Sequence, residues 1–141
     1  MAPLQILLAE DNRGDVLLVE QALDEHYIAR ELHVVADGAL AIEFIRTMGK
    51  PEQAPCPDLM LLDLNLPKAD GQQVLAAFRQ HPQCARTPVI VVTSSDTRDD
   101  RHRLAEFGIA WYFRKPSDLE AFLKLGAVVR DVMEGRRQGS T

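Results

Sequence analysis

Short apolar runs of strand length alternate with longer amphipathic stretches along the whole chain. The first run, Leu4 to Ala9, is apolar almost throughout, the pattern of a strand covered on both faces rather than one. A polar turn, E-D-N-R-G-D, follows it. From Asp15 to Glu25 the apolar positions Val16, Val19 and Leu23 recur at helical spacing. A second strand is predicted within Arg30 to Ala36 around L-H-V-V, and a helix from Gly38 to Met48 with Ala39, Ile42, Phe44 and Ile45 on its apolar side. Thr47 to Pro57 reads as a loop bearing Pro and Gly.

The second half repeats the alternation. Leu59 to Leu62 is a continuous apolar strand that ends at Asp63, and a loop with Pro67 and Gly71 leads into a helix from Gln72 to Gln80. Pro88 to Thr93 (P-V-I-V-V-T) is the most β-branched run and a strand by that token. A charged helix from Thr97 to Phe107 stops at Gly108, and Ile109 to Arg114 is the fifth strand. Ser117-Asp118-Leu119-Glu120 has the form of a capping box opening a last helix to about Glu134, with residues 135–141 expected to fray. Five strands alternating with five helices predict a doubly wound α/β fold: a five-stranded parallel sheet with helices on both faces.

Composition narrows the function. One domain is expected over residues 1–141, with its core at about 4–134. The net charge of -5 and the lack of a basic stripe argue against a nucleic-acid partner and against an anionic membrane surface. The N-terminus lacks a signal-peptide pattern and no run approaches a transmembrane span, so the expected location is the cytoplasm. There, Cys56 and Cys84 are expected to be reduced thiols, since they form neither a C-x-x-C pair nor a zinc spacing. His26, His33, His81 and His102 are scattered and have no metal spacing.

Ligands of open parallel sheets sit outside the carboxyl ends of the strands. The first strand delivers Glu10 and Asp11 there, the third Asp63, the fourth Thr93 and Ser94, and the fifth Lys115 followed by Pro116. Carboxylates gathered at one rim repel, and a hard cation relieves that repulsion; all-oxygen ligands favour Mg²⁺ or Mn²⁺. Phosphoryl transfer needs an in-line nucleophile and positive charge on the equatorial oxygens. Asp63, alone at its strand end, is the candidate nucleophile. Glu10 and Asp11 anchor the metal, with the backbone carbonyl of Asn65 as a further ligand, while Lys115 and the Thr93 hydroxyl serve phosphate oxygens.

The segments L-L-A-E-D-N, D-L-M-L-L-D-L-N-L-P-K-A-D-G, P-V-I-V-V-T-S and Y-F-R-K-P resemble the response-regulator receiver family of two-component signalling, from about Leu4 to Glu134. The resemblance implies the flavodoxin-like receiver fold, a phosphoacceptor at Asp63, an acidic metal pair at Glu10 and Asp11, a hydroxyl switch residue at Thr93, a lysine at Lys115, an aromatic switch at Tyr112 and a cis bond before Pro116. Glu in place of Asp at position 10 moves that oxygen out by one methylene. The D-L-N-L-P-K-A-D-G stretch is similar to stand-alone receivers that serve bacterial phytochromes. That similarity implies a phosphohistidine on a sensor histidine kinase, of the bacteriophytochrome class, as donor. It also implies a signalling protein, rather than an enzyme of small substrates, that catalyses its own phosphotransfer and autodephosphorylation.

Phosphate on Asp63 would draw Thr93 toward it and let Tyr112 rotate inward, changing the surface of the fourth helix, fifth strand and fifth helix. Asn65 and Ser95 flank the path of attacking water and would tune the lifetime. Trp111, Phe113, Phe122 and Gly126 are candidates for a homodimer surface. Three rivals read the same chain differently. An aspartate-nucleophile phosphatase wants a second acid two residues after its nucleophile, where Asn65 stands. A flavin or nucleotide module wants a phosphate loop where this chain is acidic. A degenerate receiver that only binds partners would lack acidic or lysine positions that are present here.

Overall fold

The computed structural model describes residues 3–47, 56–95, 97–135 and 139–140, the last two as backbone only. Most of the loop expected over Thr47 to Pro57 lies outside them. The strands are β1 (Leu4–Ala9), β2 (Arg30–Val35), β3 (Leu59–Leu62), β4 (Val89–Thr93), β5 (Trp111–Arg114) and β6 (Gly139–Ser140). They form one parallel sheet in the order β2-β1-β3-β4-β5-β6. The apolar runs account for the order: β3 and β4 are buried at every residue, as central strands covered on both faces must be, whereas β2 at the edge leaves Glu31 and Val34 exposed.

Two apolar layers flank the sheet. Ile6, Leu8, Leu61, Ile90 and Phe113 pack on α1 (Arg13–Glu25), α5 (Leu119–Leu123) and α6 (Leu125–Met133). Leu7, Met60, Leu62, Val89 and Val91 pack on α2 (Gly38–Thr47), α3 (Gly71–Gln80) and α4 (Arg98–Leu104). The side chains of β5 obey the pleat: Trp111 and Phe113 face the first layer and Tyr112 the second. Arg79, on the last turn of α3, ties the second layer together by donating to the carbonyls of Phe107 (2.7 Å), Cys84 (3.0 Å) and Thr87 (2.6 Å). Among the described residues, no helix is long and apolar enough to cross a membrane.

Helix starts follow side-chain oxygens. Asn12 caps α1, Asp70 caps α3 in a capping box with Gln73, and Thr97 caps α4 in one with Asp100. A 3-10 turn (Ala105–Phe107) extends α4 to Gly108, whose φ of 67° ends it where the sequence places the stop.

Four expectations are corrected. Asp118, not Ser117, caps the last helical segment: its carboxylate accepts from Ala121 N, so the helix starts one residue later and the Ser-x-x-Glu spacing falls out of phase. That segment also breaks at Lys124 into α5 and α6. The tail is not wholly frayed, because Gly139 and Ser140 pair with Trp111 and Tyr112 and cover backbone groups that β5 would otherwise leave open at the sheet edge. Cys56 and Cys84, Cα atoms 6.1 Å apart across the sequence gap of 28, are joined as a disulfide rather than held as free thiols.

Candidate functional site

The register of the sheet brings the chemistry to one rim. Ala9 lies beside Leu62, Leu62 beside Val91, and Thr93 beside Arg114, so the residues just beyond these ends, Glu10, Asp63 and Lys115, emerge together. Lys115 N donates to Thr93 O at 2.9 Å, which fixes the lysine as the strand ends. Carboxylate oxygens of Glu10, Asp11 and Asp63 lie within 4.8 Å of one another. Glu10 and Asp63 are buried and Asp11 is exposed, so the trio has a closed back and an open front.

The ammonium of Lys115 closes the back. It lies 2.6 Å from Glu10 Oε1, 2.7 Å from Asp15 Oδ2 and 3.0 Å from Asp63 Oδ2. Burial alone would lower its pKa, but the hydrogen bonds to Asp15, Glu10 and Asp63 outweigh it and hold the lysine charged. Burial pushes the Glu10 carboxyl up to about 7, and Lys115 offsets this only in part. Asp63 goes the other way. Burial works upward on it too, but the Asn65 N–H (3.1 Å to Oδ1), Lys115 and the Thr93 hydroxyl keep it below the ordinary carboxylate value. Asp63 is therefore held in its ionised form. The raised Glu10 reflects its burial first and the neighbouring Asp63 carboxylate only in lesser part. An all-oxygen donor set of this spacing fits a hard divalent ion such as Mg²⁺ or Mn²⁺.

The remaining predicted residues fall into two groups. Thr93 is fully buried beside Asp63, and Ser95 N donates to its Oγ1 at 3.3 Å. Asn65 Nδ2 donates to Ser95 Oγ at 2.7 Å, bridging the loops after β3 and β4 over the mouth of the site. Tyr112 is half-buried, with the Arg101 guanidinium of α4 4.8 Å from its ring centre. The proposed dimer residues are not brought to the surface as a set. Phe113 and Phe122 are core residues packed edge to face at 5.9 Å, and only Trp111 is partly exposed. Gly126 is also buried: a Cβ there would strike the Ala22 carbonyl and the His26 ring of α1, so the glycine serves a contact within the chain. The bond before Pro116 is trans, as no peptide among the described residues is cis. Trans is the intrinsically favoured isomer by about 0.5–1 kcal/mol. Lys115 reaches all three of its partners with that bond trans.

Two contributors were not singled out from the sequence. Asp15 meets Lys115 across a separation of 100 residues, and no local pattern signals that meeting. Gly38 is the other. Its N–H donates to Pro67 O at 2.9 Å, and a Cβ would lie 2.6 Å from the Ala69 carbonyl carbon. The start of α2 thus clamps the loop that carries Asn65, with Asp37 3.6 Å from the Lys68 ammonium on the same loop. The signal available was the Asp-Gly pair opening a helix.

The sequence profile described as Response regulator receiver domain matches residues 6–126. The chain belongs to the response-regulator receiver family. It is 41% identical over 123 residues to Response regulator Rcp1 of Synechocystis sp., a match covering 87% of this chain and 84% of that protein. Its fold is similar to the phosphorylated cyanobacterial phytochrome response regulator RcpA, with a TM-score of 0.81 at 32% identity over 94% of this chain and 95% of the other. It is also similar to the Mn²⁺-bound form of Rcp1, with a TM-score of 0.79 at 39% identity over 92% and 93%. The fold is the flavodoxin-like receiver fold of those structures. In this chain the acidic trio stands at the carboxyl rim of the sheet.

Proposed function

We propose that this receiver accepts a phosphoryl group on Asp63 from the phosphohistidine of a sensor histidine kinase of the phytochrome class. The observation that carries the reading is the placement of the ionised Asp63 carboxylate between the Lys115 ammonium, at 3.0 Å, and the Glu10–Asp11 pair. In the transfer, an Asp63 oxygen forms the new bond to phosphorus as the phosphorus–nitrogen bond of the donor breaks. Lys115 and the Thr93 hydroxyl donate to the phosphoryl oxygens as charge moves onto them. Glu10, Asp11, Asp63 and the Asn65 carbonyl would hold Mg²⁺, or Mn²⁺ in its place, which supplies charge neutralisation at the phosphoryl oxygens when bound. Water later breaks the phosphorus–oxygen bond; the bond from Asn65 to Ser95 at 2.7 Å supports the reading that these two side chains tune how readily that water attacks.

The output is a switch. Phosphorylation draws Thr93 toward the phosphoryl group, and Tyr112 leaves its stack with Arg101 for the vacated space. The α4–β5–α5 side then presents a different surface, which we assign to a homodimer built on exposed groups of those elements. The names of the relatives, phytochrome response regulators, support the donor class. The reading puts the protein in the cytoplasm, beside the kinase that would supply its phosphoryl group. The phosphatase alternative loses its general acid at Asn65, so turnover of small phosphoesters is not expected.

The test is incubation with acetyl phosphate and Mg²⁺ followed by intact mass. One added phosphate is expected, stable to acid, labile to base and absent from Asp63→Ala. No gain in the wild type, or an equal gain in Asp63→Ala, overturns the reading. Transfer from a phosphorylated phytochrome kinase, set against an unrelated histidine kinase, tests the donor class. Sedimentation with and without the phosphate tests the dimer.

A further inference from the structure

We propose that Asp15 is a positioning residue for Lys115: it draws the ammonium toward α1 and competes for it with the incoming phosphoryl group. The inference rests on the reading of Asp63 as phosphoacceptor and names a regulator of that same site.

An ammonium has three N–H donors. In the resting site all three are committed, to Glu10, Asp15 and Asp63 at 2.6, 2.7 and 3.0 Å. A phosphoryl oxygen must displace a carboxylate to be served by Lys115. Two of these carboxylates change partners during the reaction. Asp63 becomes the acceptor, and Glu10 belongs to the trio whose oxygens converge within 4.8 Å. Asp15 belongs to neither group. It stands in the first turn of α1, on a turn fixed by the bond from its own N–H to Asn12 Oδ1 at 3.0 Å, and its carboxylate keeps its hold on Lys115 while the others turn away.

Charge balance points the same way. With a divalent ion bound, the trio and Lys115 are neutral together, and Asp15 is the added negative charge beside the path of a dianion. The bland alternative is a first-turn acid that only complements the helix N-terminus. That role would affect stability and leave phosphorylation alone.

Asp15→Asn separates the two, because it keeps the shape and an acceptor oxygen but removes the charge. The maximal rate of Asp63 phosphorylation at saturating acetyl phosphate should rise about five- to tenfold, as expected for loss of a half-buried like charge held 2.7 Å from the ammonium that must serve the phosphoryl oxygens. The Mg²⁺ dissociation constant, from isothermal titration, should stay within about twofold, since Asp15 lies outside the metal trio. Asp15→Glu, with its charge restored one methylene further out, should bring the rate back toward the wild-type value. An Asp15→Asn rate equal to or below wild type, with wild type labelled normally, overturns this inference alone. A wild type that gains no phosphate on Asp63 overturns the underlying reading and this one with it.

Discussion

Replacing Lys115 with Met leaves Glu10 and Asp63 buried and facing each other without their shared cation. Removing one partner of a buried ion pair ordinarily costs roughly 3–5 kcal/mol. Part of that cost is avoided here. Glu10, already at about 7, takes up a proton near neutral pH and ceases to repel Asp63. The apolar Met also escapes the desolvation that the ammonium suffers. We therefore expect a loss of about 2 kcal/mol at pH 7, which for a chain of this size lowers the melting midpoint by roughly 4–8 °C. The sign with pH follows from the acids. Glu10, whose folded pKa is raised, costs stability above its unfolded value, and the cost fades as pH falls toward it, so its share of the deficit should narrow by about pH 5, while the share from the depressed Asp63 persists there. Adding about 10 mM Mg²⁺ should raise the midpoint more in the variant than in the wild type, because the competing ammonium is gone and ligand binding stabilises by mass action. Thermal unfolding followed by Trp111 fluorescence, with EDTA or Mg²⁺ at two pH values, reads all three effects. A variant as stable as wild type in EDTA at pH 7, or one that gains less from Mg²⁺, would refute the electrostatic account.

Further predictions probe the supports of the site. Gly38→Ala, whose Cβ would sit 2.6 Å from the Ala69 carbonyl carbon, should push the Asn65 loop outward. It should weaken Mg²⁺ binding about tenfold in isothermal titration and cost about 1–3 kcal/mol of stability by overpacking. Arg79→Leu strips the donor from the carbonyls of Phe107, Cys84 and Thr87 and should lower the urea midpoint by the equivalent of about 2–4 kcal/mol. The Asp100 carboxyl is held below its ordinary value; burial opposes this, but hydrogen bonds from Thr97 and Arg103 prevail. A depressed acid stabilises at neutral pH and loses that contribution as pH falls through its folded value. The circular-dichroism stability of Asp100→Asn should therefore converge on wild type only in acid. Thr93→Ala should still take a phosphate from acetyl phosphate but lose the phosphate-dependent change in sedimentation.

The elements that sequence places well are those whose local chemistry and burial agree. The runs V-I-V-V-T and L-M-L-L are strands by side-chain shape and central by their lack of alternation, and the sheet uses them so. Once these strands are parallel, their carboxyl ends share a rim, which is why Glu10, Asp11, Asp63, Thr93 and Lys115 were legible as a group. What was not legible depends on packing between distant segments. The partnership of Asp15 with Lys115 requires knowing how α1 leans on the end of β5. Gly126 looks like a surface glycine until α1 is laid over it, and Phe113 and Phe122 look like an exposed aromatic face until they are found packed edge to face in the core. Asp118 outcompetes Ser117 because both are good caps and only the path of the chain beyond Pro116 chooses between them.

The tight seat of Gly126 against Ala22 and His26 has a mechanical consequence. Two backbones in direct contact cannot slide without breaking it, and Arg130 adds a hydrogen bond to the His26 carbonyl across the same seam. The slab formed by α1 and α6 is thus the stiff side of the molecule, a frame against which other parts are displaced. The compliant side is across the sheet, where α4 is a seven-residue helix with one buried anchor, Leu104. A pull at the rim will be spent there, so information should leave the molecule by that side while the frame stays still.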